Sequence, residues 1–303
     1  MAVKYDKLFA ESWRMLIKHK ILFVPNVFLF LFSFLLFIVY LAVSGILSLL
    51  IKNPAMIYDQ RILHEQIRFL AGTYPVKGVI CLLGYFVIVI LTDLFFVTMK
   101  YGMIKDIITK RKTSLHEGYI FARHYYMRSA YVHIASFLMI YTPLIITGVV
   151  FYILAQKTNS FPLMTPWIII AIILLLVFVY IIYMLIRLIY IYPIMTFEEA
   201  GALKTIEKDF HYVKTHVGHT MMTWILFAVV WFLYVVLRTP LGRVASTAQN
   251  LFIVVAVSVL VFFFNFIISI WEHIFIFKSY FEGSKTQKRK IFKEDDSWKS
   301  LYK

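Results

Sequence analysis

ILFVPNVFLFLFSFLLFIVYLAVSGILSLL, residues 21–50, contains no Asp, Glu, Lys or Arg. A helix rises about 1.5 Å per residue, so about 20 such residues cross a hydrocarbon layer of roughly 30 Å. Five further stretches of this kind follow, and the spans are placed at 24–50, 78–99, 130–155, 163–190, 218–237 and 248–275. With 61% hydrophobic and 16% charged residues, a 303-residue chain has too little polar surface to clothe a water-soluble globule. Lipid cannot hydrogen-bond a backbone, so these segments must satisfy their own N–H and C=O groups as helices; barrel strands would read as short alternating runs. The expected fold class is therefore an all-α integral membrane protein with six transmembrane helices.

Basic residues give the orientation. Lys and Arg between alternate spans divide 23 to 7, the larger set falling at the N-terminus, in 100–128, in 204–214 and after Lys278. The positive-inside rule puts that set, with both termini, in the cytoplasm of a cell (plasma) membrane protein. A formal charge of +15 then reflects contact with anionic lipid headgroups rather than nucleic acid. The first apolar run is about twice the length of a signal-peptide core, so it reads as a retained span. Cys81 is the single cysteine, which excludes an internal disulfide and a cysteine-rich metal site.

Three segments preceding the odd-numbered spans read as amphipathic lead-in helices on the cytoplasmic side: YDKLFAESWRMLIKHKILF from Tyr5, SLHEGYIFARHYYMRSAYV from Ser114 and ALKTIEKDFHYVKTHVGHTMM from Ala202. In the third, Leu203, Ile206, Phe210, Val213 and Val217 recur at three- and four-residue steps and define an apolar face. The expectation is three helical-hairpin repeats, each opened by such a helix. A short interfacial helix is expected at 62–70, a plain turn broken by Pro240 and Gly242 after the fifth span, and a disordered mixed-charge tail over 281–303. Pro25, Pro143 and Pro193 fall in or beside spans and read as kinks. Broken spans of the transporter kind are not expected.

LFAESWRMLIKHKILFVPNVF, Leu8 to Phe28, and YPIMTFEEAGALKTIEKDFHYVKTHV, Tyr192 to Val217, resemble two elements of a prokaryotic six-helix membrane domain. That domain is fused to some glycerophosphodiester phosphodiesterases and also stands alone in related uncharacterised bacterial and archaeal membrane proteins. The resemblance implies the same six-helix architecture. It carries over no catalytic residue, and no phosphodiesterase domain is present in the chain.

Charges inside the spans are the candidates for chemistry, because each costs at least about 2.5 to 3.5 kcal/mol to insert at mid-bilayer. Asp93, Arg187 and Glu272 all precede the same end of an even-numbered span, and His273 adjoins the last of them. One reading is a cation or proton site in which Arg187 holds one carboxylate while the other changes protonation; the other is an ion-pair clasp that orients three helices. His211, His216 and His219, with Glu207, have helical spacings but no common face, so no metal site and no cofactor is expected. GxxxxGK[ST], GxGxxG and GxSxG are absent. The chain therefore reads as a non-catalytic polytopic protein, a membrane-embedded partner or lipid-interacting component, working with a membrane-protein partner or as a homo-oligomer. The alternative is a small transporter or channel using the Asp93/Arg187/Glu272 charges.

Overall fold

A computed structural model describes the backbone of residues 3–45, 47–48, 75–157, 165–247 and 251–299; within these stretches, side chains are described over 3–45, 47–48, 80–153, 170–244 and 252–285. The described regular structure is helical: α1 (Tyr5–Lys18), a 3₁₀ turn (Lys20–Phe23), α2 (Val24–Val43), α3 (Pro75–Lys110), α4 (Leu115–Lys157), α5 (Thr165–Arg187), α6 (Ile191–Glu198), α7 (Ala202–Thr215), α8 (Val217–Thr247) and α9 (Leu251–Lys299). Six segments are long and apolar enough to span a bilayer: Lys20–Val43, Ile80–Lys110, Leu115–Ile153, Ile170–Glu198, Val217–Val244 and Phe252–Lys285. The chain is a multi-pass, all-helical integral membrane protein. The helix expected at 62–70 lies outside the described residues.

Several boundaries differ from the sequence expectation. Of residues 100–128, counted among the basic loops, Leu115–Arg128 is the expected lead-in helix and opens α4, while Lys100–Lys110, not expected to be helical, completes α3. Hydropathy marks where a helix leaves lipid, not where its hydrogen bonds stop. The true turn is 111–114, closed by Arg111 at a φ of 60° and by a reciprocal cap. Ser114 Oγ accepts the Glu117 N–H at 3.2 Å while Glu117 Oε2 accepts the Ser114 N–H at 3.0 Å. The second lead-in segment is thus the first part of one 43-residue helix, whereas the first and third form the separate helices α1 and α7. Past the fifth span, α8 runs through Pro240 and Gly242 to Thr247 instead of turning. Proline removes one backbone donor there, and the exposed flanks at 235–240 impose no packing that would force a bend. The backbone of α9 likewise continues to Lys299 through residues read as a disordered tail, a run rich in the helix formers Lys, Glu, Gln and Arg.

Two prolines do break helices. Pro193 lacks an N–H and its ring would strike the carbonyl of Ile189; the fourth span accordingly stops at Arg187, turns over 188–190, and restarts as α6. Pro25, in the first turn of α2, similarly sits just after the 3₁₀ turn. Pro143 lies inside α4 without ending it. The kink expected at Pro193 is thus a break at the end of the fourth span.

Among the described side chains, packing is concentrated at one end. Buried side chains come mostly from Leu8–Asn26, Leu94–Ser136, Met184–Thr223 and Ile270–Tyr280. Here α1 lies against α9, with Trp13 stacked on Trp271 at 5.4 Å and Phe9 edge-on to the same indole. Helices α3 and α4 form the closest pair. Gly102 and Gly118 permit it: a Cβ on Gly102 would meet Phe121 Cγ at 2.5 Å, and one on Gly118 would meet Met103 Cγ at 2.6 Å. Toward the other end no described side chain is buried over 27–43, 80–93, 137–153, 235–244 or 252–269. On α2 and α3 the half-buried side chains there form one narrow ridge each, Leu29, Ser33, Leu36 and Tyr40 on α2 and Cys81, Tyr85, Val89 and Thr92 on α3, while Val177 of α5 and Tyr234 of α8 are buried farther along their helices.

Candidate functional site: a polar centre within the bundle

Lys100 sits on the buried face of α3, two helical turns beyond Asp93. Helical side chains lean toward the N-terminus, so the lysine stem reaches back along the face that carries Asp93. Only 2% of Lys100 is exposed, and its ammonium donates to Asn26 Oδ1, at the start of α2, at 3.4 Å. The same ammonium lies within electrostatic reach of Asp93 and of Glu272 on α9. Neither carboxylate comes within 4.0 Å of it among the described ion pairs, so the three charges face one another without a closed salt bridge.

The surrounding groups are aromatic and polar. Tyr101 packs against Tyr192 of α6, His273 of α9 and Phe277 at centroid distances of 5.1, 5.2 and 5.1 Å. Tyr192 hydrogen-bonds His133 Nδ1 of α4 at 2.8 Å, and His133 in turn lies in electrostatic reach of Asp93. The Trp231 indole of α8 faces Glu272. His273 Nδ1 has no hydrogen-bond partner. Elements from all along the chain thus converge on one polar centre.

Arg187 is not part of it. Its Nε donates to Tyr183 Oη at 2.9 Å and its Nη1 to the Phe210 carbonyl at 3.2 Å, and its guanidinium lies over both rings. Arg187 is the last residue of α5, immediately before the break at 188–190. Of the sequence candidates, Asp93, Glu272 and His273 are brought together around Lys100, and Arg187 is drawn elsewhere. Lys100 was missed because it was counted with the basic loop; its seven-residue spacing from Asp93 was the available signal. His133 and Tyr192 carried no such signal, since only the fold brings them near.

Arg187 instead faces Asp209, a second buried carboxylate that sequence reading passed over. Asp209 is fully buried on α7 with Thr205, Tyr212 and Val213, while Leu203 and Val217, expected on the buried face, are 82% and 56% exposed. The apolar stripe is therefore only half buried, through Ile206, Phe210 and Val213. Neither Asp209 oxygen has a hydrogen-bond partner; the Tyr190 backbone approaches it without hydrogen-bond geometry. Burial holds this carboxyl well above the usual carboxylate range, with Arg187 opposing.

The histidines of this region do not form a metal centre. His216 stacks on Tyr212, while His219 Nδ1 meets Tyr5 Oη at 2.5 Å and His219 Nε2 meets the Ser279 carbonyl at 3.1 Å. Ser279, Thr223 and Tyr190 extend this into a buried hydroxyl network at 2.7 to 3.0 Å. It ties α1, α8 and α9 to the residues of the break. Among the described residues, no three His, Cys, Asp or Glu side chains are grouped as a metal would need. In comparisons with known proteins, no family model, curated protein or solved structure matches this chain.

Proposed function

We propose that this polytopic membrane protein is a non-catalytic, lipid-interacting component of the cell membrane, with its packed end and both termini in the cytoplasm. The observation that carries the reading is the contrast between the two ends of the bundle. At the packed end, side chains from α1, α3, α6 and α9 close a core; beyond it the described side chains of α2 and α3 half-bury only one ridge each. Helices that touch along single ridges leave apolar gaps between them, and in a bilayer acyl chains fill such gaps because no water competes for them. The aromatic side chains along these ridges, including Tyr40 against Tyr85 at 5.4 Å and Phe30 against Phe262 at 4.5 Å, offer flat surfaces for those chains.

The basic residues of the packed end support the orientation. Lys18, Lys20, Lys204, Lys208 and Lys214 lie on or beside α1 and α7, where anionic headgroups of the inner leaflet would meet them. Native mass spectrometry of the protein released from membranes in mild detergent tests the reading. Retained phospholipid, together with a lower unfolding temperature after delipidation, is the expected result. A lipid-free protein with unchanged thermal stability would overturn it.

A further inference from the structure

We propose that Asp93, Lys100 and Glu272 form a proton-binding centre that holds one exchangeable proton in addition to the lysine's own. The argument is independent of the lipid reading and rests on charge counting and geometry. Two carboxylates facing one ammonium carry a net charge of minus one, enclosed by Asn26, Tyr101, Tyr192, Phe277 and His273. A net charge in such surroundings is expensive, and one added proton cancels it. Lys100 is 2% exposed within these side chains, which favours the smallest occupant. A proton needs no space.

The proton is also free to move. Direct ion pairs would fix it by committing the ammonium to one carboxylate, yet Lys100 has three N–H donors and a single long hydrogen bond, to Asn26. The titratable groups facing the centre are Tyr101 of the same helix, His133 of α4, Tyr192 of α6 and His273 of α9; α2 presents only the neutral Asn26. Of these, His133 is the exposed one, and it is in electrostatic reach of Asp93.

Infrared difference spectroscopy of the full chain in lipid nanodiscs, scanned across about pH 5 to 9, tests this, with Asp or Glu carbon-13 labelled to assign the band. The expected result is a protonated-carboxyl C=O band that titrates, moves with one of the labels, and persists in Asp209→Asn, which removes the other buried carboxyl. The band is lost in the double variant Asp93→Asn, Glu272→Gln. In Lys100→Met its amplitude rises about twofold, because two carboxylates without a cation need two protons for neutrality. Absence of any such band in both the wild type and Asp209→Asn overturns the proposal, as does a band that survives in the double variant. If the Lys100 variant does not fold, the labelled wild-type spectrum still decides.

Discussion

At the scale of the residue, two carboxyl environments, one buried and one half-exposed, illustrate how placement overrides identity. Asp209 lies on a helix whose sequence pattern looks unremarkable, yet the fold encloses it completely and leaves both oxygens without a hydrogen-bond donor. Its raised folded pKa fixes the sign of its linkage: the group's contribution is whole below the ordinary aspartate range and is lost as pH rises toward the raised value. Asp209→Asn should therefore flatten the alkaline side of the stability profile, with a gain at pH 8 on the order of 1 kcal/mol or more. Thermal unfolding in detergent between about pH 5 and 8 checks this; a profile parallel to wild type would contradict it. Glu11 behaves oppositely. Its ion pair with Lys278 holds its carboxyl below the usual range, so that contribution is present above the ordinary glutamate pKa and lost as pH falls. Glu11→Gln should remove that acid-side loss, seen as a smaller drop in unfolding temperature on going from about pH 6 to pH 3.

Elements add a constraint that single residues do not show. The α3–α4 pair approaches closely because two glycines face side chains rooted near their own backbone, Phe121 and Met103. Phe121 is met at its Cβ, which cannot swing aside, and Met103 can yield only by repacking within the buried core, so Gly102→Ala and Gly118→Ala should each destabilise, by about 1 to 3 kcal/mol with Gly102→Ala the larger. Urea or thermal unfolding monitored by tryptophan fluorescence measures this, and a neutral result would show that the helices can slide apart. Arg111, between the same helices, is a non-glycine residue at positive φ on an exposed turn. Arg111→Gly should stabilise by about 1 kcal/mol, by relieving the clash of Cβ in the left-handed region. Prolines show the converse dependence on context. Pro193 ends a helix at a place where the displaced chain gains buried partners, through Tyr190 and Ile191, whereas Pro143 and Pro240 are carried inside helices whose surroundings offer none.

For the whole molecule, the distribution of packing is the main result. One end is held by aromatic stacking, a buried hydroxyl network and the Glu11–Lys278 pair; among the described side chains toward the other, α2 and α3 half-bury single ridges. Opening motions should therefore begin at the loosely packed end, and amide exchange should be slower in α1, α6 and α7 than their short lengths alone imply. Topology is tested by replacing Cys81 with Ser and introducing one cysteine at Ser284. If both termini are cytoplasmic, an impermeant maleimide should label it only after cells are opened. Labelling of intact cells would invert the orientation.

The six spans and their helical form were legible because lipid imposes one rule on every residue in a span: apolar outside, backbone satisfied within. That rule acts locally, so thirty uncharged residues from Ile21 are enough to state it. The carboxylates Asp93 and Glu272 were legible for the same reason, as local exceptions. Which cation meets them was not. Arg187 and Lys100 are equally basic in sequence, and what separates them is that one lies against Phe210 of α7 while the other sits on the helix face that carries Asp93. Such a choice depends on where distant helices cross, and only the tertiary structure contains that information.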